Sequence, residues 1–155
     1  IILHCSPSGA IERVMYALLE KEYMKQQKGK NPILPLWLSP TQVRLCPLND
    51  SFIKHCEDLA KKLEKESIRV DVDDRTESVG KKVRDAETEW VPYSIVVGKK
   101  EKSSGKLPLR CRVTGKVRET TPEGVIKEIR DQTKGYPYRP LPMDRLLSKR
   151  PVFFG

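Results

Sequence analysis

The order of patterns along this chain predicts an α/β fold, a three-layer mixed sheet of five strands with helices on both faces. From residue 41 onward, alternating strand patterns take turns with amphipathic helix patterns. The continuous apolar run at 93–97 has the composition of a central strand covered on both faces. Two later strands flank the short link Thr114-Gly115. We therefore expect parallel strands first and an antiparallel hairpin afterwards.

Length and composition indicate one domain with an anionic partner. The chain has 155 residues, 37% hydrophobic and 33% charged, which is enough for one core and argues against disorder throughout. Thirty Lys and Arg against 21 Asp and Glu give a net charge of +9, which favours nucleic acid. No apolar run approaches the roughly 18 residues that span a bilayer, so we expect a soluble protein with no membrane partner.

The cysteines and the first residues indicate the context of the chain. Four cysteines lie far apart without a CxxC pair, so we expect reduced thiols in a cytoplasmic protein. The chain starts at Ile1 with neither an initiator Met nor a leader pattern, and we expect a piece of a longer protein.

Residues 10–22 predict a first helix, and 28–40 predict a linker that contains three prolines and a glycine. The predicted buried stripe of this helix is Ile11, Val14, Met15, Leu18 and Leu19. We expect a domain boundary near Pro40.

The predicted domain then begins with a strand, a helix and a second strand. In the first strand, residues 42–48, Val43 and Leu45 face a core while Gln42 and Arg44 face away. Residues 49–51 cap a helix with an apolar stripe at Phe52, Ile53, Cys56, Leu59, Ala60 and Leu63. The second strand, residues 68–72, ends in a polar turn at 74–78.

The remaining predicted elements are a helix, the central strand, a hairpin and a last helix. The helix stripe consists of Val79, Val83, Ala86 and Trp90, which leaves Lys81, Lys82, Arg84, Asp85 and Glu87 toward solvent. The hairpin strands are 109–113 and 116–120, and Thr121-Pro122-Glu123 opens the last helix over Val125, Ile126 and Ile129. We expect an extended tail from residue 136, without a sheet to join, that packs back through Tyr136, Tyr138, Phe153 and Phe154.

Positive charge is concentrated between residues 75 and 118. This stretch has twelve Lys and Arg against five Asp and Glu. A solvated charged surface is the more common explanation of such a run. Here the predicted sheet order brings the basic residues to one side, where they could contact phosphates while loop residues read the bases of an RNA loop.

Catalytic motifs are lacking. The sequence contains no Gly-rich phosphate loop, Ser-His-Asp set or HExxH. His4-Cys5 and His55-Cys56 form no metal-binding spacing, and His55 is better explained as a surface residue beside a core thiol. We expect no self-contained active site.

Two segments together resemble a known family. Leu3-His4 followed by residues 9–13 resembles the third signature motif of class II aminoacyl-tRNA synthetases, and 36–44 resembles the entry to the anticodon-binding domain of the glycyl, histidyl, prolyl and threonyl members. The segments at 74–75, 80–84, 91–93 and 98–101 continue that match. His4 and the Ile11-Glu12-Arg13 triplet are most similar to the threonyl members, and Thr76, Trp90 and the aromatic tail are more similar to archaeal than to bacterial ones.

The resemblance implies a division of the chain and a role for its first part. Residues 1–27 would be a remnant of the catalytic domain, 28–40 a linker, 41–135 the anticodon-binding domain and 136–155 an extended tail. In the whole enzyme His4 would be the third protein ligand of a zinc that binds threonine, with a Cys and a His supplied by residues before Ile1. Arg13 would bind ATP. We expect neither group on the isolated chain.

The resemblance also implies an RNA site. By position, Arg75, Thr76, Arg84, Glu101 and Arg110 would contact anticodon bases, while Lys81, Lys82 and Lys106 would contact phosphates. The implied function is the anticodon-binding part of a threonine-tRNA ligase, itself a homodimer that joins threonine to its tRNA with ATP. Alternatives are a stand-alone RNA-binding or regulatory protein, or the same domain of a prolyl, histidyl or glycyl synthetase.

Overall fold

Strand and helix patterns alternate along the chain, and in the computed structural model, which describes residues 1–6 and 9–151, they form a mixed sheet between helices. The elements are α1 Ile11–Gln27, β1 Val43–Pro47, α2 Ile53–Lys65, β2 Val70–Val72, α3 Val79–Thr88, β3 Tyr93–Val97, α4 Lys99–Ser104, β4 Leu107–Cys111, β5 Val117–Thr120 and α5 Pro122–Thr133. Short 3-10 helices occupy Asp50–Phe52 and Leu147–Lys149.

The five strands lie in the order β2-β1-β3-β4-β5. Strand β1 pairs in parallel with β2 and β3, whereas β3–β4 and β4–β5 are antiparallel. The prediction of parallel strands followed by a hairpin is therefore confirmed. Strand β4 begins at Leu107, two residues before the predicted start, and the unpredicted helix α4 precedes it. A short polar helix such as α4 shows no apolar period that a sequence window could detect.

One face of the sheet is apolar and lies under α2 and α5. Alternate residues of the strands, among them Leu45, Ile95 and Leu109, are fully or almost fully buried there. The predicted α2 stripe is confirmed at Cys56, Leu59, Ala60 and Leu63. Thr121 caps α5 as predicted, since its hydroxyl accepts the Gly124 N–H, and Val125 and Ile129 complete the core. This face supplies most of the hydrophobic stabilisation of the domain.

The opposite face carries charge in its interior, under α3. Strand β1 was expected to bury one face only, and that expectation is wrong, because α3 packs on its second face and the strand is buried at every residue. Arg44 is fully buried and donates two hydrogen bonds of 2.9 Å to the buried carboxylate of Asp71. A third hydrogen bond of 2.7 Å reaches Glu89 at the end of α3. Ion pairing thus offsets the cost of burying the Arg44 charge.

Helix α1 forms as predicted but does not bury its apolar stripe. Ile11, Met15 and Leu19 are between 48% and 74% exposed, and Glu22 is the residue of α1 that is buried. The stripe shows where the helix is amphipathic, yet the described part of the chain supplies no surface to cover it. Within that part, no helix is both long enough and apolar enough to cross a membrane.

The tail packs back onto the domain, and the expectation that it has no sheet to join is wrong. Leu146 forms a parallel bridge with Val72, whose N–H donates to the carbonyl of Arg145 at 2.9 Å. The tail therefore covers the free edge of β2. The predicted aromatic packing is present at Tyr136, which stacks on Trp37 with 5.0 Å between ring centroids. Phe153 and Phe154 lie outside the described residues.

Candidate nucleic-acid interface

The carboxyl ends of the three parallel strands place several loops at one edge of the sheet. These ends lead into the residues after Pro47, the turn at 73–78 and helix α4. Since β4 runs antiparallel to β3, its first residues lie at the same edge. The residues predicted to contact RNA on these loops, on α4 and on the first turn of α3 are Arg75, Thr76, Lys81, Glu101 and Lys106. Carboxyl ends of parallel strands are where open α/β sheets bind their ligands.

Arg75 is held by two carboxylates. Its guanidinium forms two hydrogen bonds to Asp73, of 2.8 and 2.6 Å, and one of 2.9 Å to Asp85 on α3. Burial would raise the pKa of Asp73, but the hydrogen bonds and charge of Arg75 lower it below its ordinary value. The same hydrogen bonds raise the pKa of Arg75. Arg75 is therefore a fixed positive charge, and its side chain is still 32% exposed.

Arg110 is held in a similar way on the α3 face. It lies opposite Ser94 in the β3–β4 ladder, and its Nε and Nη2 atoms are 2.8 and 2.7 Å from Glu87 Oε1. Both side chains are about 40% exposed. The guanidinium thus has a set orientation without being buried, which suits recognition by a planar fork of donors.

Glu101 lies in the first turn of helix α4. One of its carboxylate oxygens accepts the Gly98 N–H at 2.9 Å. A Cβ at Gly98 would lie 3.3 Å from both Glu101 and Leu48, so this close approach favours glycine. The second carboxylate oxygen of Glu101 is left as a possible acceptor for a base.

The lysines differ from one another more than their sequence pattern suggests. Lys82 was expected to face solvent, and that expectation is wrong, because it is 4% exposed and its Nζ donates to the carbonyl of Pro47 at 3.2 Å. The packing of α3 against the end of β1 covers its aliphatic stem. Lys81 is exposed and pairs with Glu77 at 2.5 Å. Lys106 is 65% exposed and lies 3.8 Å from Glu119, and Arg84 and Thr76 are exposed.

Sequence reasoning missed the acids that hold these arginines in place. Asp73, Asp85 and Glu87 were treated as part of a charged surface, although they fix the guanidinium groups of Arg75 and Arg110. The acids of residues 71–74, directly before Arg75, were the one local indication in the sequence that a carboxylate pairs with this arginine. The pairing of Glu87 with Arg110 joins residues 23 positions apart, so no local pattern could show it.

The first residues of the chain do not make a metal site by themselves. His4 lies in an extended, exposed segment. In residues 1–6 and 9–151, no three His, Cys, Asp or Glu side chains come together as metal ligands. One imidazole cannot by itself hold a tetrahedral zinc, so His4 could serve as a ligand of that ion only together with ligands from outside the described residues. Arg13 is exposed beside Gly9, on the first turn of α1.

Comparison with known proteins agrees with this geometry. The chain is 56% identical over its whole length to a threonine–tRNA ligase of Pyrococcus horikoshii, and covers 25% of that protein. It is 54% identical over 97% of its length to the threonine–tRNA ligase of Nitrosopumilus maritimus, of which it covers 24%. The chain thus spans about a quarter of the length of the relatives it matches.

A solved structure and a family model match the same part of the chain. The RNA binding domain of threonyl-tRNA synthetase from Cryptosporidium parvum superposes on 71% of this chain and 27% of that one, with a TM-score of 0.61 and 25% identity. Residues 42–132 match the family model described as the anticodon binding domain, and this range contains the whole five-stranded sheet. The chain therefore belongs to the anticodon-binding domain family, as the resemblance of its sequence motifs implied.

Proposed function

We propose that this chain binds the anticodon stem-loop of a threonine tRNA, as the anticodon-binding part of a threonine–tRNA ligase. One observation carries the proposal: Arg75 and Arg110 are both partly exposed, and carboxylates on the α3 side of the sheet hold both guanidinium groups. The near relatives named above are threonine–tRNA ligases, which supports threonine over proline, histidine or glycine.

Each proposed contact follows from the chemistry of its side chain. Arg110 and Arg75 offer paired donors to guanine or to a phosphate, and the free oxygen of Glu101 accepts from a base amino or imino group. The Thr76 hydroxyl can donate or accept in the same turn as Arg75. Lys81, Arg84 and Lys106, which are exposed, supply sequence-independent attraction for phosphates. Lys82 contributes indirectly, because its hydrogen bond to Pro47 fixes the start of α3 against the end of β1.

The same proposal extends to the whole enzyme. There, residues 1–27 belong to a catalytic domain, residues 28–40 link it to the anticodon-binding domain at 41–135, and 136–155 form the tail. In that enzyme His4 joins a Cys and a His of the preceding chain as a zinc ligand, and Arg13 binds ATP. The zinc would supply a Lewis acid for binding threonine, with His4 as one of its three protein ligands. The enzyme would work as a cytoplasmic homodimer.

A binding titration tests the proposal. Fluorescence anisotropy would compare a hairpin with a threonine anticodon and a hairpin altered only in the anticodon. The wild-type chain should prefer the first hairpin, and Arg110→Ala should weaken binding by about 1–3 kcal/mol and reduce the preference. Glu101→Ala should also reduce it.

The matched control is Arg118→Ala. Arg118 lies on the same hairpin as Arg110 but pairs with Glu128 on α5, at the opposite face of the sheet. Its loss should lower affinity equally for both RNAs, if at all. Equal affinity of the wild-type chain for the two hairpins would contradict base reading, as would an unchanged preference in Arg110→Ala. The affinities for hairpins with proline, histidine and glycine anticodons distinguish a threonyl domain from the same domain of a prolyl, histidyl or glycyl synthetase.

A further inference from the structure

Arg112 fastens the linker to the domain. Its Nε donates to the carbonyl of Pro32 at 2.8 Å, its Nη1 donates to the backbone carbonyl of Glu87, and its own carbonyl accepts from the Asn31 side chain at 2.9 Å. Its backbone N–H is also bonded, to the carbonyl of Pro92 at 2.9 Å. Arg112 therefore joins three segments that are distant in sequence: the linker, the end of α3 and the end of β4.

The linker is in turn joined to α1. The N–H of Ile33, next to Pro32, donates to the Glu22 carboxylate at 3.0 Å. Glu22 is 4% exposed and also accepts from Lys25 one turn further along α1. Burial would raise the pKa of Glu22, but the hydrogen bonds from Ile33 and Lys25 lower it. The charged carboxylate thus ties the linker to α1, the helix that begins beside Arg13.

Glu87 stands between this connection and the proposed RNA site. Its carboxylate holds Arg110, while its backbone carbonyl holds Arg112. The carboxylate is 42% exposed, so its side chain has room to turn. Burial lowers the pKa of Arg112, and the charge of Glu87 opposes that shift. Among the contacts of the described residues, the Nη2 of Arg112 donates no hydrogen bond and is open to a new acceptor.

We propose that Glu87 exchanges arginine partners when RNA binds. In the free protein its carboxylate pairs with Arg110; when a base or phosphate takes Arg110, the carboxylate turns to Arg112. Arg112 then holds the linker more tightly, and through Ile33 and Glu22 it restricts α1. Glu87 is the element with two arrangements that such a coupling requires. This inference rests on the proposed function, since it needs RNA at Arg110, and it makes Arg112 a positioning residue outside the RNA contact itself.

Hydrogen exchange of the linker tests the inference. The 155-residue chain would be followed by mass spectrometry over residues 28–36, with and without the threonine-anticodon hairpin, and hairpin binding would be measured on the same samples. In the wild type, bound RNA should slow exchange in this segment on the order of fivefold, the effect of about one net hydrogen bond. Arg112→Ala should bind the hairpin within about threefold of the wild type, yet show faster linker exchange that RNA no longer changes.

Two further variants separate coupling from general loosening. Arg112→Lys keeps the charge, but its single nitrogen cannot occupy both the Nε and the Nη1 positions from which Arg112 reaches Pro32 and Glu87, so it should behave like Arg112→Ala. Arg118→Ala removes an arginine from the same hairpin and should leave the RNA effect on the linker unchanged.

The inference is wrong if bound RNA leaves wild-type linker exchange unaltered, or if Arg112→Ala responds to RNA as the wild type does. If the wild type does not bind the hairpin, the proposed function fails and the partner exchange fails with it. Whether Arg112 holds the linker can then still be tested without RNA, by comparing linker exchange in the free wild type and in free Arg112→Ala. Equal linker exchange in the two would show that it does not.

Discussion

The two faces of the sheet differ in chemistry, although the same strands build both. Under α2 and α5 the strands present mainly apolar side chains, whose packing needs no ion pair. Under α3 the same strands present Arg44, Asp71, Ser94 and Arg110, and nearly every charge there has an opposite charge within hydrogen-bond distance. The first face obtains its stability from burial, whereas the second obtains fixed geometry from pairing.

The comparison explains why the proposed RNA site lies on the α3 side. Arg75, which Asp73 and Asp85 hold, keeps one orientation, so less conformational entropy is lost when RNA binds. The cost is that removing one member of a buried ion pair leaves the other charge buried without a partner, which lowers the stability of the fold. The two faces should therefore respond differently to substitution.

The largest expected effect is on the charged face. Asp71→Ala leaves the fully buried Arg44 without its main partner and should lower the free energy of unfolding by about 3–5 kcal/mol in urea titrations. The double variant Arg44→Met, Asp71→Leu removes both charges and should recover part of this loss, because Glu89 and the 14% exposed Arg150, which lies 3.0 Å from Asp71, then lose their partners. A loss below about 1 kcal/mol in the single variant would show that water or Glu89 stabilises the Arg44 charge in place of Asp71. The two faces of the sheet would then differ less in their dependence on ion pairs.

The apolar face should respond to lost volume instead. Leu63 is fully buried on α2, and Leu63→Ala should cost about 2–5 kcal/mol by the same measurement. Leu48→Ala, at a 54% exposed position, is the control and should cost much less. No second substitution of a neighbouring side chain by a polar one should rescue Leu63→Ala, which distinguishes this face from the other.

The pair formed by Arg75 and Asp73 predicts a dependence on pH. Since the pKa of Asp73 is lowered in the folded protein, its contribution is present above the ordinary Asp pKa of about 3.9 and is lost as pH falls through the lower, folded value. The stability difference between the wild type and Arg75→Ala should therefore be largest near pH 7 and shrink toward about pH 3. Arg75→Lys should recover part of it. A difference that stays constant from pH 7 to 3 would refute this account of the pair.

The smallest effect concerns two neighbouring lysines. Lys81→Met should lower the slope of log affinity against log salt by roughly one, because an exposed charge near phosphate is lost. Lys82→Met should leave that slope unchanged, since the Lys82 Nζ is buried against Pro47. Hairpin titrations at several salt concentrations measure both. An equal drop in slope for both variants would mean that the start of α3 moves away from β1 when RNA binds, so that Lys82 reaches a phosphate.

The sequence predicted the fold better than the candidate site. Strand alternation, caps and helix stripes are local, so the order of elements and the stripe through Leu59 and Leu63 could be read directly. Alternation could not show that a second layer covers β1, and Arg44 was therefore expected to face away. The α1 stripe identified a helix but not a partner for it.

The candidate site depends on pairs distant in sequence. Arg110 meets Glu87 across 23 positions, and no short window of sequence contains that pair. The family resemblance nominated the exposed arginines by position but not the acids that orient them. Lys82 was placed wrongly because a helical pattern assigns each position to a side of the helix and does not show how far the stem of a lysine is covered.

The cover that the tail gives to β2 also bears on aggregation. A sheet edge with free N–H and C=O groups can pair with another chain. Here one edge is occupied by the bridge between Leu146 and Val72, and the ion pair of Arg145 with Glu64 fixes the tail against α2. At the other edge β5 is four residues long and carries Arg118 and Glu119, whose charges disfavour pairing. Loss of the tail would leave the backbone N–H and C=O groups at the edge of Val70–Val72 as an open template for self-association, so the tail protects the solubility of the domain as well as its stability.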